Sequence, residues 1–266
     1  MEQTNNEPAV HCQRHGSIAN IVFSNPARYN AMSLRMWQSL SQHLDDLAND
    51  SNIRLAVLSG DGDRAFVSGS DISEFDQQRS TATAAAEYNR IADDAEFAVD
   101  EFPKPTIAKI RGYCLGGGLG IALGCDIRIC SDDAKFSGPA GKLGLGYSYK
   151  SVARLLRLLG QAKAAELFYT GERINATQAL EAGLVNRVVK PEELDQTVDA
   201  MATTITGNAP LTLAAFKACA RQWKLQDNEG GTPAIDAMID ACYVSDDYAE
   251  GRLAFREKRS PVFKGK

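Results

Sequence analysis

This chain has few of the residues that commonly bind metal ions or serve in Ser-His catalytic pairs. It has three histidines, His11, His15 and His43, all within the first sixth of its 266 residues. A metal centre or a Ser-His catalytic pair therefore has few ligands to draw on, and we expect no metal site. None of the six cysteines forms a C-x-x-C pair. We expect reduced thiols, as is typical of cytoplasmic proteins.

Signals for a membrane or a nucleic acid are also missing. No apolar run approaches the roughly 20 residues that a membrane-spanning helix needs. Residues 1–16 are polar and carry acidic groups, which is not typical of a secretory signal. The net charge is −5, and a mildly acidic surface disfavours nucleic acids and anionic membranes as partners. We therefore expect a cytoplasmic protein with neither kind of partner.

The pattern of apolar residues indicates an α/β fold. Hydrophobic residues make up 44% of the chain, which is enough for a substantial core. The predicted strands are residues 18–23, 55–59, 65–67, 106–110, 126–131 and 184–189. The predicted helices between them are residues 36–47, with Ser33 as a plausible N-cap, 82–97, 116–123, 151–169 and 176–182.

The pattern changes near residue 190. Only helical periodicity follows, at residues 192–206, 210–226, 232–243 and 246–257. We therefore expect an α/β core over residues 1–190 and a helical C-terminal region over residues 191–266. That region is too short for a core of its own, so it should pack on the first part or on a neighbouring subunit.

Two glycine-containing turns each follow a predicted strand and open a predicted helix. They are residues 67–72 (VSGSDI) and 112–120 (GYCLGGGLG). A helix N-terminus exposes unpaired N–H groups, and two such ends aimed at one point can stabilise an anion. Glycine lets a ligand approach the backbone closely. The alternative interpretation is that the second turn only permits tight helix packing.

Five segments, in order along the chain, resemble motifs of the crotonase superfamily, the enoyl-CoA hydratase/isomerase family. They are residues 25–31 (NPARYNA), similar to N-R-P-x-x-x-N-A; 65–72 (AFVSGSDI), similar to A-F-x-A-G-A-D-[IL]; 104–126, similar to K-P-x-I-A followed by G-x-x-x-G-G-G and C-D; 170–189 (TGERINATQALEAGLVNRVV), similar to T-G-x-x-I-x-A-x-E-A-x-x-x-G-L-V-x-x-V-V; and 251–258 (GRLAFREK), similar to E-G-x-x-A-F-x-E-K. The resemblance implies a crotonase-like spiral of ββα units with a C-terminal helical trimerisation region. It also implies a homotrimer or a dimer of trimers.

The resemblance further implies roles for single residues. The amides of Ser70 and Gly117 fall on the two positions that hold a thioester oxygen as it becomes an enolate. The substrate would be an acyl-CoA thioester, with coenzyme A as part of that substrate and no separate cofactor. The positions implied to bind coenzyme A are Ala27, Arg28, Ala31, Ser68, Asp71, Ile72, Phe255 and Lys258. The last two would reach it from a neighbouring subunit. Alternatively, Asp71 only caps a helix and Lys258 is only a solvated helix end.

Two positions depart from the hydratase pattern. Family hydratases place glutamates in G-G-G-x-E and F-x-x-P-E, where this chain has Gly120 and Ala140. No Asp or Glu occurs from Lys135 to Ala165, so a shift of register does not supply them. Because each general acid–base group contributes about 10²–10⁴-fold, efficient hydration by the usual mechanism is not expected.

Other reactions fit the missing glutamates better. Tyr147 resembles a tyrosine of family decarboxylases of the methylmalonyl-CoA type, which also lack the pair but carry a histidine where this chain has Ser70. Tyr147, or the Ser70 hydroxyl, would position the substrate or donate a proton. An isomerase could use an acid that follows the first turn, namely Glu74, Asp76 or Glu87. The remaining alternative is a catalytically weak acyl-CoA-binding protein.

Overall fold

The computed structural model describes residues 7–224 and 232–266, apart from the side chains of Asp76 and Lys224. The strands in these ranges are β1 (Ala9–His15), β2 (Ile18–Ser24), β3 (Leu55–Gly60), β4 (Ala65–Val67), β5 (Thr106–Ile110), β6 (Tyr113–Leu115), β7 (Ile127–Ser131), β8 (Lys135–Ser137), β9 (Ile174–Asn175) and β10 (Arg187–Val189). The α-helices are α1 (Leu34–Asn49), α2 (Phe75–Gln78), α3 (Ala82–Glu101), α4 (Gly117–Gly124), α5 (Ala140–Leu143), α6 (Tyr149–Thr170), α7 (Ala176–Glu181), α8 (Leu194–Thr206), α9 (Pro210–Lys224), α10 (Pro233–Tyr243) and α11 (Asp246–Glu257). Short 3₁₀ segments lie at Pro26–Arg28, Ile72–Glu74 and Pro191–Glu193.

Successive strand pairs divide between two sheets. β3, β5 and β7 lie side by side in a six-stranded sheet of order β1-β2-β3-β5-β7-β10. β4, β6 and β8 lie side by side in a four-stranded sheet of order β4-β6-β8-β9. A helix follows each pair: α3 after β4, α4 after β6, and α5 with α6 after β8. The chain therefore repeats a ββα unit, which confirms the expected spiral.

The first long helix shows how local sequence produces these elements. The Ser33 hydroxyl accepts a hydrogen bond from the N–H of Met36 at 3.3 Å, which confirms Ser33 as the N-cap. Apolar side chains three or four positions apart then form a single buried face of α1: Met36, Trp37, Leu40, Leu44 and Leu47. This face packs into the main hydrophobic core between the sheets and helices.

The helical C-terminal region packs on the first part of the chain. Leu194, Val198 and Ala202 of α8 are buried against the six-stranded sheet, on side chains that include Val57 and Ile107. α9 is attached by a buried lysine. The ammonium group of Lys217 donates to Asp126 Oδ2 at 2.8 Å and to the carbonyl of Lys104 at 2.8 Å.

The structure corrects two expectations about strands. β1 was not predicted, because its residues (AVHCQRH) are mostly polar. It is an edge strand that pairs antiparallel with β2, so one of its sides needs no apolar cover. The strand expected over residues 184–189 is shorter. Leu184 and Val185 are buried after α7, where the N–H of Leu184 donates to the carbonyl of Ala179 at 2.8 Å.

The part of the predicted helix 210–226 that follows Lys224 lies outside the described residues. Among the helices in the described ranges, none combines the length and the apolar character required to cross a membrane.

We predict that Leu194→Ala lowers the free energy of unfolding by about 2–5 kcal/mol, because it opens a cavity under α8 where the side chain is only 3% exposed. Leu180→Ala is the matched control, since Leu180 on α7 is 44% exposed. Its expected loss is under about 1 kcal/mol. Urea unfolding of both variants provides the measurement. Equal losses would contradict the docking of α8.

Candidate active site

The two glycine turns meet at one edge of the four-stranded sheet. β4 and β6 are neighbouring parallel strands, and each turn follows the carboxyl end of its strand. A Cβ placed on Gly69 in the first turn would lie 4.0 Å from the amide nitrogen of Gly117 in the second. The turns are therefore in contact, at the end of parallel strands where α/β proteins commonly bind ligands.

A backbone bridge orients the first turn. The N–H of Met32 donates to the carbonyl of Gly69 at 2.8 Å, and the N–H of Asp71 donates to the carbonyl of Met32 at 2.8 Å. Because backbone groups alternate in direction along an extended segment, this pairing turns the N–H of Ser70 away from Met32. Gly69 has φ +115°, a conformation that favours glycine.

The second turn presents the N-terminus of α4. Gly117 is the first residue of this helix, so its N–H has no partner within the helix. Gly116 precedes it with φ 52° and ψ −118°, again a glycine conformation. In the described residues, neither the Ser70 nor the Gly117 N–H donates to a protein acceptor. Two such donors can stabilise negative charge on a ligand oxygen.

Both turns open on a cavity of about 420 Å³. Its wall includes Ser70, Gly117, Tyr147, Trp37 and Ala140, and α3 contributes Asp93 and Glu96. Neither acid was among the candidate residues predicted from the sequence. The cavity is of a size that suits part of a small-molecule ligand.

Glu96 is the buried carboxyl group of this cavity. Its side chain belongs to α3 and only 8% of the residue is exposed. The carboxyl group lies directly against Gly120 of α4, so a Cβ on Gly120 would overlap all three of its terminal atoms. A Cβ on Gly117 would lie 3.6 Å from Glu96 Oε1. Glu96 therefore approaches the backbone of α4 beside the proposed amide donor.

Burial is the main influence on this carboxyl group. Loss of hydration raises the pKa of Glu96 to about 8, against the lowering effects of the Arg154 charge and a hydrogen bond with Ser151. The charge of Asp93 raises it further. Arg154 is itself buried, and its Nη1 donates to the carbonyl of Gly120 at 3.2 Å. Glu96 thus changes protonation near neutral pH.

Tyr147 also reaches the second turn. Its hydroxyl oxygen lies 3.9 Å from the position of a Cβ on Gly116. The ring packs edge-on against Phe168, with ring centroids 5.2 Å apart. Burial, with a further contribution from the charge of Glu96, raises the pKa of Tyr147 well above its usual value. The phenol is therefore protonated at neutral pH and can act as a hydrogen-bond donor.

The Tyr88 phenol of α3 lies beside the first turn, where its hydroxyl donates to the carbonyl of Met32 at 3.4 Å. Burial raises the pKa of the Tyr88 phenol, and a hydrogen bond with the Ser70 side chain opposes this rise. Tyr88 is 1% exposed and packs edge-on against Phe75. Tyr88 therefore joins α3 to Met32, which pairs with the first turn.

The residues predicted near the first turn form one connected surface. Arg28 donates to Asp71 Oδ1 at 3.1 Å, and its carbonyl accepts from the Ser68 hydroxyl at 3.2 Å. Asp71 also accepts from the N–H of Ser73 at 3.0 Å, so it caps the following 3₁₀ segment. Ile72 beside it is 58% exposed. Ala27 lies in the 3₁₀ segment next to Arg28, and Ala31 is buried.

Phe255 and Lys258 do not reach this cavity within one chain. Phe255 on α11 is 86% exposed and lines a separate cavity of about 660 Å³ among the C-terminal helices, together with Tyr243 and Tyr248. Lys258 ends α11 and is exposed. That cavity is larger, but neither of the two turns lines it, and its buried acid Asp247 accepts from the N–H groups of Lys264 and Gly265 at 2.6 and 2.8 Å.

The acids proposed from the sequence for an isomerase have other partners. Glu74 accepts from the N–H of Leu34 at 2.9 Å and so caps α1. Glu87 is exposed and pairs with Arg90. The side chain of Asp76 lies outside the described residues.

A signal for Glu96 was present in the sequence. Position 96 lies four residues after Ala92 and three before Val99, on the apolar face of an Ala-rich helix. An acid on a face that is expected to be buried indicates a perturbed carboxyl group. It could not have been placed beside Gly120 without the packing of α3 on α4.

We predict that Glu96→Gln changes how stability depends on pH. Because the folded pKa is raised above the unfolded value, wild-type stability falls as the pH rises from about 4.5 to about 8. The neutral amide removes this loss. From pH 5 to pH 9 the free energy of unfolding of the variant should therefore rise, relative to that of wild type, by roughly 3–5 kcal/mol. Urea unfolding at both pH values measures it. The exposed control Glu87→Gln should follow wild type, and parallel profiles for all three proteins would contradict the burial of a titrating carboxyl group.

The chain is similar to a known family of proteins along almost its whole length. The family model described as Enoyl-CoA hydratase/isomerase matches residues 13–266. A short-chain-enoyl-CoA hydratase of Clostridium acetobutylicum is 31% identical over 93% of this chain and 94% of its own length. A carnitinyl-CoA dehydratase of Proteus mirabilis is 34% identical over 97% of this chain and 99% of its own.

Solved structures show the same fold. An enoyl-CoA hydratase/carnithine racemase from Magnetospirillum magneticum has a TM-score of 0.90 and 37% identity, covering 97% of this chain and 96% of its own. A family protein from Hyphomonas neptunium has a TM-score of 0.92 and 29% identity, covering 99% and 100%. With the family model matching nearly the whole chain, this protein is an enzyme of the enoyl-CoA hydratase/isomerase family, in the crotonase superfamily.

Proposed function

We propose that the enzyme binds an acyl-CoA thioester and stabilises the enolate formed at its carbonyl group. The observation that carries this proposal is the pair of adjacent amide donors, Ser70 and Gly117, which open on one cavity. The names of the relatives describe reactions of CoA thioesters, which supports this substrate class. Coenzyme A then enters as part of the substrate.

The two amides suit the charge that such a reaction creates. Removing a proton or a carboxylate from the α-carbon places an electron pair in conjugation with the carbonyl, so negative charge develops on the thioester oxygen. Fixed donors aimed at that oxygen stabilise the charged state more than the neutral thioester, which lowers the barrier. The partial positive charge at the N-terminus of α4 adds to the effect.

The surface beside the first turn suits the rest of the substrate. Arg28 is a half-exposed cation held in place by Asp71, and a guanidinium group can pair with the phosphates of coenzyme A. Ala27 is exposed and leaves room near that turn for the nucleotide, whereas Ala31 is buried and would act only through the shape of the turn. Ser68 and the exposed side chain of Ile72 would lie along the pantetheine arm.

The acidic residues in the cavity indicate which specific reaction to propose. Gly120 and Ala140 carry no carboxyl group, so we do not propose hydration by the two-glutamate mechanism. Isomerisation needs one acid–base group, and Glu96 in the cavity favours it. Decarboxylation is the second candidate, supported by the protonated hydroxyl of Tyr147 beside Gly116. Binding without turnover is the remaining alternative.

The C-terminal helices support a homotrimer or a dimer of trimers. Large side chains on or beside α10 and α11 are exposed, which is typical of a surface that meets another protein. They are Tyr243, Val244, Tyr248, Leu253 and Phe255. In such an assembly Phe255 and Lys258 would approach the coenzyme A of a neighbouring subunit.

We predict a particle of three or six chains of 28.8 kDa each by light scattering after size-exclusion chromatography. Phe255→Asp places a charge on the exposed apolar surface, so it should dissociate the oligomer into monomers. Leu180→Asp, at a half-exposed leucine on α7, is the control and should leave the mass unchanged. A monomeric wild-type protein would contradict the proposed assembly.

We predict that Gly117→Pro loses turnover by about 10²–10³-fold relative to Gly117→Ala, because proline removes the N–H of the amide donor. Proline is tolerated at the first position of a helix. The alanine variant is the matched control, since a Cβ at this position would press on the Trp37 indole in both variants while alanine keeps the N–H. Rates are measured with crotonyl-CoA, a malonyl-type CoA and a 3-enoyl-CoA.

The choice among reactions is read from the same assay. Turnover of the 3-enoyl-CoA alone supports isomerisation, and turnover of the malonyl-type CoA alone supports decarboxylation. Rapid hydration of crotonyl-CoA would overturn the interpretation of Gly120 and Ala140. Equal rates for the proline and alanine variants would contradict the amide of Gly117 as a donor to the thioester oxygen.

A further inference from the structure

The carboxyl group of Glu96 fills the volume that a side chain at position 120 would occupy. A Cβ on Gly120 would overlap the carboxyl carbon and both carboxyl oxygens of Glu96. Position 120 is where the family motif G-G-G-x-E has its glutamate. The fold therefore has room for one carboxyl group at this place, and in this chain it enters from α3 instead of α4.

We propose that Glu96 is the catalytic proton-transfer residue of this enzyme. The inference rests on the proposed function, because Glu96 has a substrate proton to move only when a thioester lies on the two amides.

The position of Glu96 relative to the amides supports this role. Its Oε1 lies close to the Gly117 backbone, 3.6 Å from where a Cβ would stand, and the Gly117 N–H is one proposed donor to the thioester oxygen. The α-carbon of a thioester is only two bonds from that oxygen. A carboxyl group beside the donor is therefore near the atom that gains or loses the proton.

Residues on the helices around Glu96 determine how tightly its carboxyl group holds a proton. Arg154 and Ser151 of α6 favour the carboxylate, whereas Asp93 of α3 favours the protonated form. Tyr147 precedes α6 and stays protonated. α4 and α1 face Glu96 with the glycine backbone and the uncharged indole of Trp37. With a pKa of about 8, Glu96 can both accept and return a proton near neutral pH.

The step that we propose uses one carboxyl group twice, with a 3-enoyl thioester as substrate. The carboxylate of Glu96 takes a proton from C2, and the C–H electron pair forms the C1–C2 double bond of a dienolate whose charge lies on the thioester oxygen. That charge then reforms the carbonyl, the C1–C2 pair becomes the C2–C3 double bond, and the former C3–C4 π pair takes a proton at C4 from the carboxyl group of Glu96. In D₂O the carboxyl group exchanges its proton with solvent between the two transfers, so deuterium enters the product at C4. The product is the 2-enoyl thioester, and no proton is gained or lost overall.

The first test follows 3-hexenoyl-CoA in D₂O by mass spectrometry, with wild type and the isosteric variant Glu96→Gln. Formation of 2-hexenoyl-CoA and incorporation of deuterium should both fall at least about 10²-fold in the variant. Glu101→Gln is the control, because Glu101 is an exposed acid of the same helix, and it should match wild type. Full activity in a folded Glu96→Gln protein would overturn the proposal.

The pH dependence separates catalysis from a structural role. A base in the free enzyme must be deprotonated, so kcat/KM of wild type should rise with pH through about 8. This limb should disappear from the residual activity of Glu96→Gln. If the limb persists there unchanged, another group carries the proton and the proposal is wrong.

A second test moves the carboxyl group back to α4. Gly120→Glu alone should be unstable or inactive, because the new side chain collides with Glu96. The double variant E96A/G120E has an emptied volume for the new glutamate, and we expect at least a tenfold gain over E96A alone. A folded double variant that binds hexanoyl-CoA as tightly as E96A but gains nothing would count against the proposal.

Calorimetric measurement of hexanoyl-CoA binding separates two claims, the role of Glu96 and the existence of the thioester site. Wild type that binds it but gives no isomerisation and no deuterium exchange would overturn the role of Glu96 and leave the proposed thioester site standing. Wild type that does not bind it would overturn both.

Discussion

The close approach of α3 to α4 is the contact on which the site depends. Gly120 has no side chain, and the carboxyl group of Glu96 lies in the space that this leaves. The same contact removes the carboxyl group from water and raises its pKa to about 8. A larger residue at position 120 would displace Glu96, and a smaller one at position 96 would leave a void beside the second turn. The contact between α3 and α4 therefore determines both the packing around Glu96 and the proton affinity of its carboxyl group.

The ββα repeat explains why this contact lies beside two amide donors. Because successive units run in the same direction, β4 and β6 pair in parallel and end at the same edge. Each strand leads into a glycine turn, and the Met32 bridge and the start of α4 leave one amide in each turn without a protein partner. α4 begins at the second donor, whereas Glu96 lies near the C-terminal end of α3 and reaches Gly120 because α3 packs on α4. Chain order thus places the two backbone donors together, and the packing of α3 on α4 adds the buried acid.

Much of the fold was predictable because its signals are local. The Ser33 cap, the apolar face of α1 and the strand over residues 106–110 each depend on a few neighbouring residues. The two turns and the family motifs were also readable from local sequence. β1 was missed because a polar edge strand has no apolar alternation. The strand predicted over residues 184–189 was too long because two buried apolar residues after a helix resemble the start of a strand. Glu96 was missed for a different reason: its place beside Gly120 joins two segments 24 positions apart and exists only after α3 packs on α4.

A crystal structure of the Glu96→Gln variant with bound 3-hexenoyl-CoA tests the central claim most directly. We predict the thioester oxygen at about 2.7–3.1 Å from the amide nitrogens of both Ser70 and Gly117. We also predict an atom of the side-chain amide at position 96 within about 4 Å of the substrate α-carbon, close enough for proton transfer in the wild-type enzyme. A thioester oxygen bound away from the two amides, or an α-carbon separated from position 96 by another side chain, would contradict the account.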